Sequence, residues 1–169
     1  MNMNTALTIT IGVLGAVDTY LTAEIIPLPV WVTFIAWASF FALGGGAAGW
    51  VRSVASNLTG IAIASLTLLA ISLAPSSPII AAILVGVGSG AMVQASKIKL
   101  LSVTPAIVFG FACLVGTTAA TGTAVTQTDI LSHPTLVAAV SMILGATFGF
   151  LSEAWANLMA AKAPKPAEA

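Results

Sequence analysis

Charged residues are scarce in this sequence, which has five Lys/Arg and five Asp/Glu among its 169 residues. A soluble domain carries about 25% charged residues, whereas this chain has 6%, with 59% hydrophobic residues and a mean hydropathy of +1.09. A surface with so little charge cannot face water on all sides, because apolar surface is driven out of water. The composition therefore predicts a protein that lies in a lipid bilayer.

Cysteine and histidine each occur once, as Cys113 and His133. One thiol provides neither a disulfide framework nor a metal cluster. The scattered acids and the one imidazole form no nucleophile–base pair and no metal-ligand spacing. The sequence therefore predicts no enzyme activity, no cofactor and no metal site. No segment could fold as a nucleotide-hydrolysing or nucleic-acid-binding domain, so nucleic acid is not an expected partner.

The apolar residues fall into six long stretches. A helix needs about 20 apolar residues to cross the hydrocarbon core, and residues 1–158 have room for six such helices. The predicted fold is all-α, a polytopic membrane bundle with spans at 5–23, 28–44, 49–71, 78–97, 101–120 and 134–158. Residues 159–169 are rich in Ala, Pro and Lys and are predicted to form a disordered cytoplasmic tail. Asp18 interrupts the first stretch before any cleavage site, so we expect a retained helix rather than a signal peptide.

The basic residues mark one side of the predicted bundle. They follow the second, fourth and sixth spans and are Arg52, Lys97, Lys99, Lys162 and Lys165. Lysine and arginine are enriched in the cytoplasmic loops of membrane proteins. This side is therefore predicted to be cytoplasmic, with both the N and the C terminus on it.

A weak internal self-match occurs at an offset of 76 residues. The matched pairs include Thr59 with Thr135, Ser65 with Ser141 and Pro29 with Pro105. Two halves, about 1–74 and 75–158, would then form a 3+3 inverted repeat, as in many transporters. The glycines at 44–46 would match the Thr-rich stretch at 116–123, and glycine-interrupted spans at matched positions indicate a translocation site. The alternative is that both are ordinary turns between helices.

Polar and small residues recur on one face of the third span at three- and four-residue steps. They are the main candidates for a pore or substrate path: Ser53, Ser56, Asn57 and Gly60. Such a stripe either holds helices together by hydrogen bonds and close packing or lines a narrow wet path. Asn57 is notable because an unpaired amide in lipid costs several kcal/mol. Gln94, Thr117 and Thr118 are the further candidates for this path.

Asp18 lies near the outer end of the first predicted span. A carboxylate costs about 2.5–3.5 kcal/mol at the centre of the membrane and less near the interface. Asp18 is therefore a candidate ion or proton site. The alternative is an interfacial group that reaches the water between the lipid headgroups.

Small residues predict a tightly packed bundle. Gly-x-x-x-Gly motifs occur at 86–90 and 145–149, and this spacing favours close helix crossing. Six small helices make a thin bundle, so we expect a homo-oligomer. Trp37 and the glycine faces are the candidate contacts between its subunits.

Several segments carry a family resemblance. Residues 40–46 (FFALGGG), 56–60 (SNLTG), 94–97 (QASK) and 109–112 (FGFA) resemble small bacterial inner-membrane proteins known as the domain of unknown function 1097 family. The likeness covers about residues 7 to 158, and the stretch after Gly116 departs from the family pattern. The resemblance implies a bacterial cytoplasmic-membrane location and no established activity. It adds interest to Asn57 and Gln94, which lie within the shared motifs.

The predicted function is a channel or facilitator for a small polar uncharged solute of the urea, short-amide or ammonia class. It is based on the lack of an energy-coupling domain, the narrow hydroxyl- and amide-bearing stripes and the near absence of charge within the spans. A cation-coupled transporter would be expected to carry more acidic residues at mid-membrane. Two alternatives stay open: a non-transporting protein that assembles with a membrane partner, and a proton-coupled small-molecule exporter that uses Asp18.

Overall fold

The computed structural model describes residues 1–161, which fold into six α-helices. In chain order the helices are α1 (Met3–Tyr20), α2 (Val30–Ala42), α3 (Gly46–Leu73), α4 (Pro78–Ala95), α5 (Thr104–Thr121) and α6 (Pro134–Ala161). A π-helical turn at Leu21–Ile25 continues α1, and a short 3₁₀ helix at Lys99–Leu101 precedes α5. The predicted all-α class is confirmed. The last helix continues past the predicted boundary at residue 158, and the rest of the predicted tail, 162–169, lies outside the described residues.

Five of the six helices are long and apolar enough to cross a membrane, which indicates a membrane protein. The exception is α2, whose 13 residues span about 20 Å at 1.5 Å per residue. That length is less than the hydrocarbon core of about 30 Å. The second helix is shorter than the predicted span 28–44, because Pro29 precedes it and a glycine turn ends it.

The turn between α2 and α3 is built from three glycines with positive φ. Gly44, Gly45 and Gly46 have φ values of +94°, +69° and +61°, a backbone conformation that favours glycine over any other residue. The Gly46 N–H, at the start of α3, donates a 2.6 Å hydrogen bond to Oε2 of Glu153 in α6. The helix dipole favours a carboxylate at this position. The segment at 44–46 is therefore a turn between helices, which was the alternative to a translocation site.

Replacing Glu153 with glutamine is expected to lower the free energy of unfolding by about 1 kcal/mol, because the negative charge at the N-terminus of α3 is lost. Thermal unfolding in a neutral detergent would measure the change. Glu24→Gln is the matched control, since Glu24 is exposed on the turn after α1. An equal effect of the two substitutions would contradict a specific contribution of Glu153.

The contacts between helices place α3 and α6 at the centre of the bundle. These two helices contact each other, α5 packs against α3, and α2 packs against α6. At the periphery, α1 lies against α6 and α4 lies mainly against α3. The hydrophobic core between them includes Ile61, Ile107, Leu114 and Met142.

Glycine allows the closest approach between α3 and α5. The Cα of Gly60 lies against the backbone of Ile107, and the Cα of Gly110 lies against the carbonyl group of Asn57. A Cβ atom at either glycine would overlap these backbone atoms. The two helices therefore touch backbone to backbone, as small residues permit within membranes.

The Gly-x-x-x-Gly motif of α6 makes a similar crossing with α2. Gly145 lies against the carbonyl group of Thr33, and Gly149 lies against the ring of Phe40. The expected close packing of this motif is confirmed. The motif of α4 differs, since a Cβ atom at Gly86 or Gly90 would meet no atom of the described residues within 4 Å. That motif faces away from the bundle.

Trp37 is buried within the chain rather than available to another subunit. Its side chain is 4% exposed, its ring stacks on Phe148 with centroids 5.7 Å apart, and its Nε1–H donates to Ser152 Oγ at 3.1 Å. The prediction that Trp37 contacts a second subunit is wrong, because α2 buries this face against α6.

The Thr-rich stretch of α5 is helical, and the predicted interruption within it is wrong. The helix continues through Gly116 to Thr121 and ends at Gly122, which has a left-handed backbone with φ of 66°. The hydroxyl groups of Thr117 and Thr121 donate to carbonyl oxygens four residues earlier. Such bonds satisfy threonine inside a helix, so the polar composition does not break it.

Candidate functional site

Three fully buried polar side chains join α2 to the first half of α3. Ser39 Oγ donates to Asn57 Oδ1 at 3.2 Å, Ser53 Oγ donates to Ser39 Oγ at 2.9 Å, and Asn57 Nδ2 donates to Ser53 Oγ at 3.3 Å. All three side chains are 0% exposed. We call Ser39, Ser53 and Asn57 the central polar cluster. It provides hydrogen-bond partners for the Asn57 amide, which lipid could not provide.

The structure brings the four predicted residues of the α3 stripe onto one buried face. Ser53, Ser56 and Asn57 are each 0% exposed, and Gly60 is also buried. Within the described part of the chain, Ser56 Oγ has no hydrogen-bond partner. A buried hydroxyl group without a partner is unusual and costly.

Ser39 is the member of the cluster that sequence reasoning missed. It lies on α2, opposite Ser53, because the tight glycine turn folds α2 back along α3. A signal was present in the sequence, since Ser39 and Ser53 flank the turn at 44–46 at similar distances. Hairpin geometry would have paired them if the turn had been assigned first.

Gln94, Thr117 and Thr118 lie apart from the central polar cluster. Gln94 is exposed near the end of α4. Thr117 is buried, and its hydroxyl donates to the carbonyl oxygen of Cys113 at 2.7 Å. Thr118 donates to the carbonyl oxygen of Val115 at 2.7 Å. None of these three side chains hydrogen-bonds to the cluster among residues 1–161.

Asp18 forms a second buried polar site, between α1 and α2. It is 0% exposed, its Oδ2 is hydrogen-bonded to the hydroxyl group of Thr33, and its Oδ1 has no hydrogen-bond partner in the described chain. The suggestion that Asp18 reaches headgroup water is therefore wrong. Helix α1 packs mainly against α6, and Thr33 of the short second helix lies beside the carboxyl group of Asp18.

The number of hydrogen bonds that Asp18 and Thr33 can form depends on whether the Asp18 carboxyl group carries a proton. The Thr33 hydroxyl lies 2.7 Å from the carbonyl oxygen of Val30 as well as beside Asp18 Oδ2. A threonine hydroxyl has one hydrogen to donate, so it cannot donate to both oxygens. A protonated Asp18 would donate to Thr33, which would in turn donate to Val30. Both hydrogen bonds are then made.

The loop before α6 holds its own polar groups. Asp129 accepts hydrogen bonds from Ser132 Oγ and from the backbone N–H of Leu131, and these lower the pKa of the exposed Asp129 carboxyl. His133 contacts the carbonyl oxygen of Val125 through Nε2, and its Nδ1 accepts from the N–H of Thr135. Within residues 1–161, no three His, Cys, Asp or Glu side chains are grouped as metal ligands.

Four of the cavities in the described part of the chain lie near the helix ends and on the outer faces of the bundle. Their volumes are about 400, 260, 220 and 550 Å³. None of the four is lined by Asp18 or by a member of the central polar cluster. The hydrophobic core, which includes Ile61, Ile107 and Met142, packs between the helices at the centre of the bundle.

The sequence was compared with family models, curated proteins and solved structures. A family model described as "Protein of unknown function (DUF1097)" matches residues 8–157. No curated protein and no solved structure matches the chain. The matched range includes both Asp18 and the central polar cluster. Because it covers most of the sequence, the chain belongs to the DUF1097 family.

Proposed function

We propose that this protein is a membrane transport protein for a small polar uncharged solute of the urea, short-amide or ammonia class, here in a closed conformation. The observation that supports this proposal best is the buried polar face of α3. Ser56 lies on this buried face one helical turn from Ser53, and its hydroxyl group has no hydrogen-bond partner among the described residues. A face that served only to hold helices together would be expected to satisfy its polar atoms.

The proposal includes a topology. All six helices would cross the cytoplasmic membrane of a bacterium, with both termini in the cytoplasm. The short α2 would cross by means of the extended segment that precedes it, which contains Pro27 and Pro29. Non-helical backbone at membrane depth is tolerated where protein buries it.

An inverted repeat of three plus three helices is part of the same proposal. If α1 is exchanged with α4, α2 with α5 and α3 with α6, each of the main contacts between helices maps onto another main contact. The pair α3–α5 then corresponds to α6–α2, and α1–α6 corresponds to α4–α3. This agreement supports two halves in opposite orientations, the arrangement common in transporters.

The offset between the halves is not uniform. Helices α1 and α4 begin at Met3 and Pro78, 75 residues apart, whereas α3 and α6 begin at Gly46 and Pro134, 88 residues apart. The longer offset makes Gly145 the counterpart of Asn57. The two backbone crossings then correspond, because Asn57 lies against Gly110 just as Gly145 lies against Thr33.

Replacing Ser56 with alanine tests the proposed path. The substitution breaks no hydrogen bond in the described chain, so we expect normal folding and an altered solute flux. Stopped-flow light scattering of proteoliposomes challenged with urea, acetamide, glycerol and an ammonium salt would measure the flux. The matched control is Ser89→Ala, since Ser89 is exposed on α4.

The outcomes separate transport from assembly. Solute-selective acceleration over empty liposomes, changed by Ser56→Ala and unchanged by Ser89→Ala, is the expected result. If no solute is accelerated by the folded wild-type protein, the transport proposal fails. The polar face would then serve only to hold helices together, as a non-transporting assembly protein requires.

Proton-coupled transport is a second candidate function, and the Asp18 site favours it. A buried acidic side chain within a membrane span is a functional candidate in general. Within residues 1–161 one carboxyl oxygen of Asp18 lacks a hydrogen-bond partner, and a proton on the carboxyl group would complete the hydrogen bonds through Thr33. Movement of α1 against α2 could expose this site to either face in turn.

A further inference from the structure

We propose that the bundle binds the phosphate group of an anionic phospholipid at Arg52, Lys99 and Ser102. These residues line the largest of the four cavities, about 550 Å³ in volume, together with Leu100. Among residues 1–161, no acidic side chain lines it. Guanidinium, ammonium and hydroxyl groups are the donors that a phosphate group prefers. We call these four residues the basic pocket.

Arg52 is held in place while most of its donors stay available. Its Nη2 donates to Ser102 Oγ at 3.2 Å, the hydrogen bond that fixes the guanidinium across the gap between α3 and the start of α5. A guanidinium has five N–H donors. The others can therefore bind the oxygens of a ligand without breaking this contact.

The other side of the basic pocket is also fixed by the fold. Lys99 lies in the 3₁₀ helix Lys99–Leu101, and Leu101 is anchored in the core with 8% exposure. Helix α5 begins just beyond, at Thr104, with no side-chain cap and no acidic residue in its first turn. Its N-terminus adds a partial positive charge to the same region.

The positive charge of this end is poorly neutralised within the described residues. Glu24 and Asp129 lie on the turns at the opposite end of the bundle, and Asp18 lies toward that end. Glu153 is near the basic pocket's end but binds the N-terminus of α3. An anionic ligand would supply the missing negative charge.

The apolar surroundings favour a lipid over a free phosphate ion. Leu100 lines the basic pocket and is 44% exposed, and the neighbouring Val51 and Ile98 are 47% and 58% exposed. Acyl chains would cover these side chains, whereas a phosphate ion would leave them uncovered. Basic pockets between transmembrane helices are known to bind anionic lipid headgroups.

The test measures lipid binding to the purified full-length chain. Delipidated protein in a neutral detergent would be titrated with dioleoylphosphatidylglycerol, dioleoylphosphatidylcholine or inorganic phosphate, and bound lipid counted by native mass spectrometry. The variants are Arg52→Gln and Lys99→Gln. Lys97→Gln is the matched control, because it removes one positive charge from the same end but does not line the basic pocket.

We expect phosphatidylglycerol to bind more tightly than phosphatidylcholine, and each pocket variant to weaken that binding about fivefold, the effect of one basic group near an anionic surface. Lys97→Gln should change it little. Lys99 is exposed, so its substitution tests the site without risk to folding. Equal binding of the two lipids, or equal effects of all three variants, would overturn the proposal. Competition by inorganic phosphate at similar affinity would show a soluble-anion site instead of a lipid site.

Discussion

Replacing Gly60 with alanine is expected to lower the free energy of unfolding by about 3 kcal/mol or more. The added Cβ would overlap the backbone of Ile107. A side chain can relieve such an overlap by changing its rotamer, but a helix backbone cannot. Helices α3 and α5 would have to separate, which loses packing along their whole contact. Gly110→Ala should have the same effect, because its Cβ would overlap the carbonyl group of Asn57.

Unfolding in detergent, followed by circular dichroism or by the temperature of aggregation, would measure these losses. The matched controls are Gly86→Ala and Gly90→Ala on α4, where a Cβ atom would meet no atom of residues 1–161 within 4 Å. The helix propensity of alanine should make these controls neutral or slightly stabilising. A loss at Gly86 as large as that at Gly60 would mean that α4 packs on a second surface, as a homo-oligomer would require.

Replacing Asp18 with asparagine is expected to abolish any dependence of solute flux on a pH gradient. The amide has the shape of the carboxyl group and can still bond to Thr33, so the fold should be kept, but it cannot take up or release a proton. Proteoliposomes with and without an inward pH gradient would be compared by stopped-flow measurement. This prediction depends on the second candidate function, proton coupling through the site between α1 and α2.

Asp129→Asn is the control for Asp18→Asn, because Asp129 is exposed on the loop before α6. A flux that still follows the gradient in Asp18→Asn would rule out Asp18 as the proton carrier. A wild-type flux that ignores the gradient would reject coupling and favour the passive channel. The two results are distinguishable, because in the first the flux depends on the pH gradient and in the second it does not.

Much of the secondary structure could be predicted from the sequence, because helix boundaries depend on local residues. Prolines begin α4 and α6, and the glycines at 44–46 separate α2 from α3. The three- and four-residue spacing also identified the buried face of α3 correctly. At residues 116–121 the Gly- and Thr-rich composition wrongly predicted an interruption of the fifth helix. Threonine hydroxyl groups satisfied within the helix keep α5 continuous there.

The sequence by itself determined that this chain is an all-helical membrane protein, since low charge and long apolar stretches leave no other environment. Only the tertiary structure decided which of two motifs with the same spacing packs against another helix. Gly145 lies against another backbone, whereas Gly86, with the same motif spacing, faces outward. Asp18 is buried where Thr33 of α2 lies beside its carboxyl group, and Ser39 of α2 joins Asn57 of α3 across the turn. The physical reason is that spacing along one helix defines a face, but the neighbouring helix determines what that face contacts.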